Sequence, residues 1–127
     1  MSAFELFGNY FKELRVRNKI TLREFCAKNS FDPGNISKIE RGLAPPPKSI
    51  DVLTRLAESL GLTKGSTEWS ELIDRASACS GMIPPDMMED SAFVAKLPIV
   101  FRALRGKEGQ DMTDEKLRRL AEDIRRA

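Results

Sequence analysis

The two cysteines are the first residues to consider for chemistry, because thiolates bind metals and act as nucleophiles. Cys26 and Cys79 lie far apart in the sequence, and neither belongs to a CxxC pair. The chain contains no histidine that would complete a zinc site or serve as a base beside a nucleophile, and no glycine-rich phosphate loop. We therefore expect both cysteines to be reduced packing residues in a protein that is not an enzyme and has no metal or cofactor.

The distribution of charge is more informative than the net charge of +2. Residues 1–64 contain 11 Lys or Arg and 7 Asp or Glu, a net charge of +4, whereas residues 65–127 contain 10 and 12, a net charge of −2. A basic half beside an acidic half is typical of a nucleic-acid-binding region joined to an interaction module, and it is equally compatible with chance. No apolar run approaches the roughly 20 residues of a membrane-spanning helix and the N-terminus lacks signal-peptide features, so we expect a cytoplasmic protein.

The hydrophobic spacing predicts three helices in the first 42 residues. An amphipathic segment covers Phe4–Asn18, and Thr21 and Glu24 have the spacing of a capping box at the start of a second helix. Asp32 is a suitable N-cap for a third helix that ends at Gly42. Because only a short turn separates the second and third helices, the sequence predicts a helix-turn-helix.

Two further helices follow a rigid connection. Pro45–Pro47 cannot be helical. Ser49 starts a fourth helix that Gly61 ends, and the spacing predicts that Ile50 and Leu53 face the core. A fifth helix is expected over Ser66–Ser80.

The last third of the chain forms a separate helical module in this interpretation. Residues 81–85 are the candidate linker. A weakly helical segment is expected over Asp86–Leu97, and further helices are expected to open at Pro98 and Thr113. We therefore predict an all-α protein with one domain over residues 1–80 and another over residues 81–127.

Residues 20–42, ITLREFCAKNSFDPGNISKIERG, resemble the Cro/repressor-type helix-turn-helix of the XRE family. The resemblance is most specific in Ile36–Gly42 and extends to Leu14–Arg15 and Leu56–Gly61. It implies a five-helix, lambda repressor-like domain that binds double-stranded DNA.

The resemblance also implies that the N-terminal part of the third helix enters the major groove. The base-reading candidates carried over by position are Pro33, Gly34, Asn35, Ser37 and Lys38. Asn35 can pair with adenine, and Lys38 can donate to guanine. Pro33 and Gly34 depart from the long polar residues common in the family, so DNA shape is expected to contribute more than direct readout. The alternative is that Asn35 and Lys38 belong to an ordinary solvated helix face.

Other positions in the resemblance imply phosphate contacts and one structural ion pair. The phosphate candidates are Arg17, Lys19, Arg23, Arg41 and Lys48, each equally explained as a solubility charge. Arg15 and Glu40 match family positions that form a partly buried ion pair between the first and third helices, a structural role and not a DNA contact. Many relatives have glutamine at the position of Leu22, where it holds a phosphate, so we expect affinity to depend more on dimerisation.

Apolar residues are too frequent in the last third of the chain for a mere tail. We expect a dimerisation surface formed by Phe93, Leu97, Val100, Phe101, Leu104, Leu117, Leu120 and Ile124, with packing onto the first domain as the alternative. Residues 97–126 also resemble the C-terminal module of repressors that ImmA/IrrE-type metallopeptidases inactivate in mobile elements and stress regulons. That resemblance implies a cleavage site near Leu104 and Arg105, where an ordinary interhelical turn is an equal alternative.

These observations predict a homodimeric, sequence-specific transcriptional repressor that proteolysis inactivates. The expected partners are double-stranded DNA, a second copy of the chain and an ImmA/IrrE-type metallopeptidase. Two alternatives stay open: an antitoxin that represses its own operon and masks a toxin, and a protein-interaction scaffold that does not bind DNA.

Overall fold

The computed structural model describes residues 1–105 and 113–126, and every regular element within them is an α-helix. The chain divides into two compact units, residues 1–84 and 85–127, and the division falls inside the predicted linker. The helices of the first unit are α1 (Ala3–Arg17), α2 (Leu22–Asn29), α3 (Pro33–Glu40), α4 (Ile50–Ser59) and α5 (Thr67–Cys79). The second unit contains α6 (Pro85–Met88), α7 (Ser91–Arg105) and α8 (Asp114–Arg126). The prediction of an all-α protein is therefore confirmed for the described residues.

Side-chain caps explain where the first five helices begin. The capping oxygens, each accepting a bond from a backbone N–H three residues later, belong to Ser2, Thr21, Asp32, Ser49 and Ser66. At the predicted capping box, the Thr21 hydroxyl accepts from the Glu24 N–H at 3.1 Å. A complete, reciprocal capping box lies instead at Ser2 and Glu5, which the sequence prediction missed. Each cap satisfies an otherwise unpaired donor and stabilises its helix by about 1 kcal/mol.

All five helices of the first unit contribute to one apolar core. Its buried members are Phe7, Phe11, Leu14, Phe25, Cys26, Ile36, Ile39, Leu53, Leu56, Ala57, Leu60, Trp69, Leu72 and Ala76. Phe11 meets Phe25 edge to face, with ring centroids 5.6 Å apart. Ile50 was expected to face this core but is exposed, because α4 begins there and its buried stripe starts one turn later at Leu53. Burial raises the pKa of the Cys26 thiol, which keeps it protonated and suits a packing role.

Two glycines let α1 pack directly against the C-terminal end of α3. A Cβ atom on Gly8 would lie 2.2 Å from the Ile39 carbonyl oxygen and 2.7 Å from that of Glu40. Gly42 has a φ of 75°, and a Cβ there would lie 2.4 Å from Cγ of Glu5. Only glycine therefore allows both backbones to approach so closely.

The second unit corrects the predicted helix start at Pro98. Asp90 accepts hydrogen bonds from the N–H groups of Ala92 and Phe93, so α7 begins at Ser91 and Pro98 lies inside it. A proline within a helix removes one backbone hydrogen bond, but it does not by itself fix where the helix begins. Thr113 caps α8 as predicted, its hydroxyl accepting from the Lys116 N–H at 3.2 Å. Across residues 1–105 and 113–126, no helix has the length and apolar character needed to cross a bilayer.

Candidate nucleic-acid interface

A buried ion pair fixes the C-terminal half of α3 to α1. Arg15 Nε donates to Glu40 Oε2 at 2.7 Å, and Arg15 Nη2 donates to Glu40 Oε1 at 2.9 Å. The third guanidinium nitrogen, Nη1, donates to the Ile20 carbonyl oxygen at 2.8 Å, so the same arginine also holds the connection between α1 and α2. The hydrogen bond to Glu40 raises the pKa of Arg15, whose side chain is only 9% exposed. Two parallel hydrogen bonds thus join the guanidinium to the carboxylate, and loss of either partner would leave a buried charge unpaired.

The turn before α3 fixes the other end of that helix. Ser30 has a left-handed backbone conformation with a φ of 59° and ends α2. The Phe31 N–H then donates to the Cys26 carbonyl oxygen at 3.0 Å. Asp32 Oδ2 accepts from the Asn35 N–H at 3.1 Å, which completes a sharp change of direction between the two helices.

The two faces of α3 differ completely in burial. Ile36, Ile39 and Glu40 are buried against the rest of the unit. The base-reading candidates lie on the other side: Pro33, Gly34, Asn35 and Lys38 are exposed and Ser37 is half-buried. The structure therefore brings the five predicted residues together on one outward surface, which we call the α3 outer face.

The polar groups of the α3 outer face are available to a ligand. Within the described part of the chain, neither the Asn35 amide nor the Lys38 ammonium has a hydrogen-bond partner in the protein. A Cβ atom on Gly34 would meet only the Asp32 carboxylate, with the nearest oxygen at 3.5 Å. Packing within the protein does not require glycine at this position, in contrast to Gly8.

The predicted phosphate ligands are exposed but belong to different local elements. Arg17 lies at the end of α1, Lys19 in the following connection, Arg23 in the first turn of α2, Arg41 at the end of α3, and Lys48 just before α4. Arg41 Nε donates to the Ser37 carbonyl oxygen at 3.3 Å, which directs its guanidinium back along α3. Leu22, the departure from the family pattern, is half-buried and packs against the core.

Sequence reasoning missed the contacts that Arg55, Asn29 and Phe31 make around the turn before α3. Arg55 on α4 donates from Nη2 to the Asn29 carbonyl oxygen at 3.1 Å, and its Cζ lies 4.7 Å from the centroid of the Phe31 ring. The Asn29 side-chain amide donates to the Phe25 carbonyl oxygen at 2.9 Å. Arg55 is 26 residues from Asn29 in the sequence, so no local spacing indicates this contact.

The candidate dimerisation residues of the second unit show a graded exposure. Leu97 is buried, Phe93, Val100, Leu120 and Ile124 are half-buried, and Phe101, Leu104 and Leu117 are exposed. Ile99 on the same helix is 60% exposed. Leu104 and Arg105, the predicted cleavage site, form the last turn of α7, and residues 106–112 lie outside the described residues.

The five helices of the first unit, with the sharp turn between α2 and α3, have the arrangement of a helix-turn-helix domain. The helix-turn-helix domain family matches residues 6–69, about half of the chain, and the chain belongs to this family. The membership confirms the predicted helix-turn-helix and supports a DNA-binding regulator whose partner is DNA. No curated protein and no solved structure matches the chain.

Proposed function

We propose that the chain is a sequence-specific transcriptional repressor that binds double-stranded DNA as a homodimer, with the α3 outer face in the major groove. One observation carries the proposal: α3 is anchored by Ile36, Ile39 and the Arg15–Glu40 pair, while its polar N-terminal edge is free to contact a ligand. A short helix held in this way meets the geometric requirement for groove insertion. The direction of regulation, repression, rests on the resemblance of residues 20–42 to the Cro/repressor type.

Asn35 and Lys38 are the strongest candidates for direct base contacts. An asparagine amide can bond bidentately to adenine, and a lysine ammonium can donate to guanine O6 or N7. Ser37 is half-buried and has a shorter reach. Pro33 and Gly34 add no hydrogen-bonding side chain, so they bring backbone close to the duplex and leave DNA shape to contribute to specificity.

Phosphate contacts would supply most of the affinity that is independent of sequence. The exposed cations proposed for these contacts are Arg17, Lys19, Arg23, Arg41 and Lys48. Affinity falls as salt rises, and each lost phosphate contact should reduce the magnitude of the slope of log affinity against log salt by about one. Because Leu22 is apolar and packs against the core, it offers no phosphate contact at the position where the resemblance implies glutamine.

The second unit is proposed to dimerise the protein. Phe101, Leu104 and Leu117 expose apolar surface that a second copy would cover. A dimer carries two DNA-binding domains for the two halves of a two-fold related operator. When one domain has bound its half-site, the other is held at a high effective concentration near the second half-site, which raises the overall affinity.

Inactivation is proposed to occur by cleavage beside Leu104. Because Leu104 and Arg105 lie in a helical turn, a peptidase would first have to unwind the end of α7, a step that a dimer would oppose. Incubation with an ImmA/IrrE-type metallopeptidase should then give one cut beside Leu104. An intact chain, or a cut far from this residue, would contradict this part of the proposal.

Selection from a random duplex library tests the proposal. Wild-type protein should enrich a two-fold related site, and Asn35→Ala or Lys38→Ala should each lose discrimination at one base pair per half-site by about 1–3 kcal/mol. Lys64→Ala is the matched control for Lys38→Ala, because it removes the same positive charge from a loop that has no proposed role. Enrichment of the same site with the same discrimination by all four proteins would remove α3 from its assigned role.

A further inference from the structure

Arg55 on α4 closes the outer side of the turn between α2 and α3. Its guanidinium does so in two ways: Nη2 donates to the Asn29 carbonyl oxygen at 3.1 Å, and Cζ lies 4.7 Å from the centroid of the Phe31 ring. A cation over an aromatic face is held electrostatically, and the planar guanidinium can stack and donate at the same time. One side chain on α4 therefore contacts both Asn29, the last residue of α2, and Phe31, in the turn that follows.

The inner side of the same turn is fixed by the core. Phe31 stacks on Phe25 with ring centroids 5.5 Å apart and an interplanar angle of 7°. Phe25 is fully buried, and its carbonyl oxygen accepts from the Asn29 amide at 2.9 Å. The order from the core outward is thus Phe25, Phe31 and the Arg55 guanidinium.

This stack bears on the end of α3 that carries the base-reading candidates. The C-terminal end of α3 is fixed by Glu40 and by its close approach to Gly8. Phe31 lies immediately before Asp32, the N-cap of α3, so the turn determines the position of the N-terminal end. Because α3 has only eight residues, a displacement of its N-terminal end moves most of the helix, including the residues that carry the base-reading side chains.

We propose that Arg55 is a positioning residue for DNA recognition: it sets the position of the α3 outer face without contacting DNA. The inference rests on the proposed function and deepens it, because it assigns part of the sequence specificity to a residue on α4. Loss of the guanidinium would loosen the turn and spread the orientations of Asn35 and Lys38. Specific binding would then weaken more than non-specific binding.

The test uses two substitutions at Arg55 and a matched control. Arg55→Met keeps an unbranched stem without the charge, and Arg55→Lys keeps the charge without the planar fork. Arg75→Met is the control, because the Arg75 Cζ also lies over an aromatic ring, 4.3 Å from the Tyr10 centroid, but on α5 and away from the turn. Arg55→Met and Arg75→Met remove the same charge.

The first readout needs no DNA. Amide hydrogen exchange over residues 29–36 of the full chain should be faster in Arg55→Met than in wild type, with Arg75→Met unchanged. Unchanged exchange in Arg55→Met would overturn the inference by itself.

The second readout compares a selected duplex with a scrambled duplex across a salt titration. For Arg55→Met, we expect about tenfold weaker binding to the selected duplex, as for loss of one charged hydrogen bond and one stacked cation. Arg55→Lys should lose less, because its ammonium is still a cation but cannot stack on Phe31 and donate to Asn29 with one planar group. Binding to the scrambled duplex and the salt slope should stay as in wild type, and Arg75→Met should behave as wild type. Equal losses on both duplexes with a slope lowered by about one would make Arg55 a phosphate ligand and overturn the inference.

The two proposals can fail separately in this experiment. If wild type prefers its selected site and Arg55→Met keeps that preference in full, only the positioning role is wrong. If wild type shows no site preference, the proposed function fails, and the inference about specificity fails with it.

Discussion

At the residue scale, the contrast between two arginine–glutamate pairs shows which charges hold the fold. Arg15 and Glu40 form a pair whose side chains are 9% and 6% exposed, whereas the Arg75 and Glu71 side chains are 45% and 46% exposed. Both pairs have a nitrogen–oxygen distance of 2.7 Å, so distance alone does not distinguish them. Solvent screening weakens the exposed pair, and breaking the buried pair would leave a charge without its partner.

The buried pair is therefore expected to dominate a stability comparison. Glu40→Ala should lower the free energy of unfolding by about 3–5 kcal/mol, because Arg15 would keep its charge in a buried position. Glu71→Ala, the matched control, should cost less than about 1 kcal/mol. Urea denaturation of the full chain, followed by circular dichroism, measures both values; equal losses would contradict a decisive role for the buried pair.

At the element scale, the position of α3 depends on how closely other helices approach it. Gly8 allows α1 to lie against the last turn of α3, and Arg55 on α4 holds the turn before its first residue. Neither contact involves a residue of the α3 outer face. The elements packed behind α3 thus decide where the α3 outer face lies.

Matched glycine substitutions test this close approach. Gly8→Ala would place a Cβ atom 2.2 Å from the Ile39 carbonyl oxygen, so α1 and α3 must separate, and we expect a loss of about 1–3 kcal/mol in stability. Gly34→Ala introduces the same methyl group where it makes only an ordinary van der Waals contact with the Asp32 carboxylate, and it should leave stability unchanged or slightly higher, because alanine favours helix. Thermal unfolding compares the two variants, and a Gly8→Ala protein as stable as Gly34→Ala would contradict the packing described for α1.

The elements that could be predicted from the sequence are those with local signals. Thr21, Asp32 and Ser49 cap helices where expected, because a cap bonds to a backbone group three residues later in the same segment. The predicted helix start at Pro98 was wrong, because a proline lowers helix stability without fixing a helix boundary. The cap at Asp90 decides where α7 begins.

The candidate site was partly predictable for the same reason. The positions of Asn35 and Lys38 on an outward helical face follow from the spacing of Ile36 and Ile39, which are buried. Arg55 and Gly8 could not be identified, because their roles depend on partners 24 to 32 residues away in the sequence. Contacts of that kind require the tertiary structure.

At the scale of the whole molecule, the two units differ in how many of their apolar side chains are buried. The first unit encloses the shared core of α1 to α5. In the second, Phe101, Leu104 and Leu117 remain 42%, 39% and 41% exposed. Exposed aromatic and aliphatic surface of this kind favours association, and a two-fold dimer would cover it with the same surface of a second copy.

Disruption of this surface should separate the dimer and weaken DNA binding together. Phe101→Arg would place a charge in the proposed contact, and sedimentation should then show a monomer with markedly lower affinity for a two-fold site. Ala95→Arg adds the same charge at an exposed position of α7 outside the proposed set and should remain dimeric. A wild-type chain that sediments as a monomer would contradict the proposed dimerisation.

The central claim, that the α3 outer face contacts DNA bases, is tested most directly by photocrosslinking from position 34. A benzophenone side chain fits there, because a Cβ atom on Gly34 meets only the Asp32 carboxylate. Position 64, in the loop after α4, serves as the control. The account predicts crosslinks from position 34 to bases within each half of a selected duplex and few from position 64. Efficient crosslinking from position 64 with none from position 34 would contradict it.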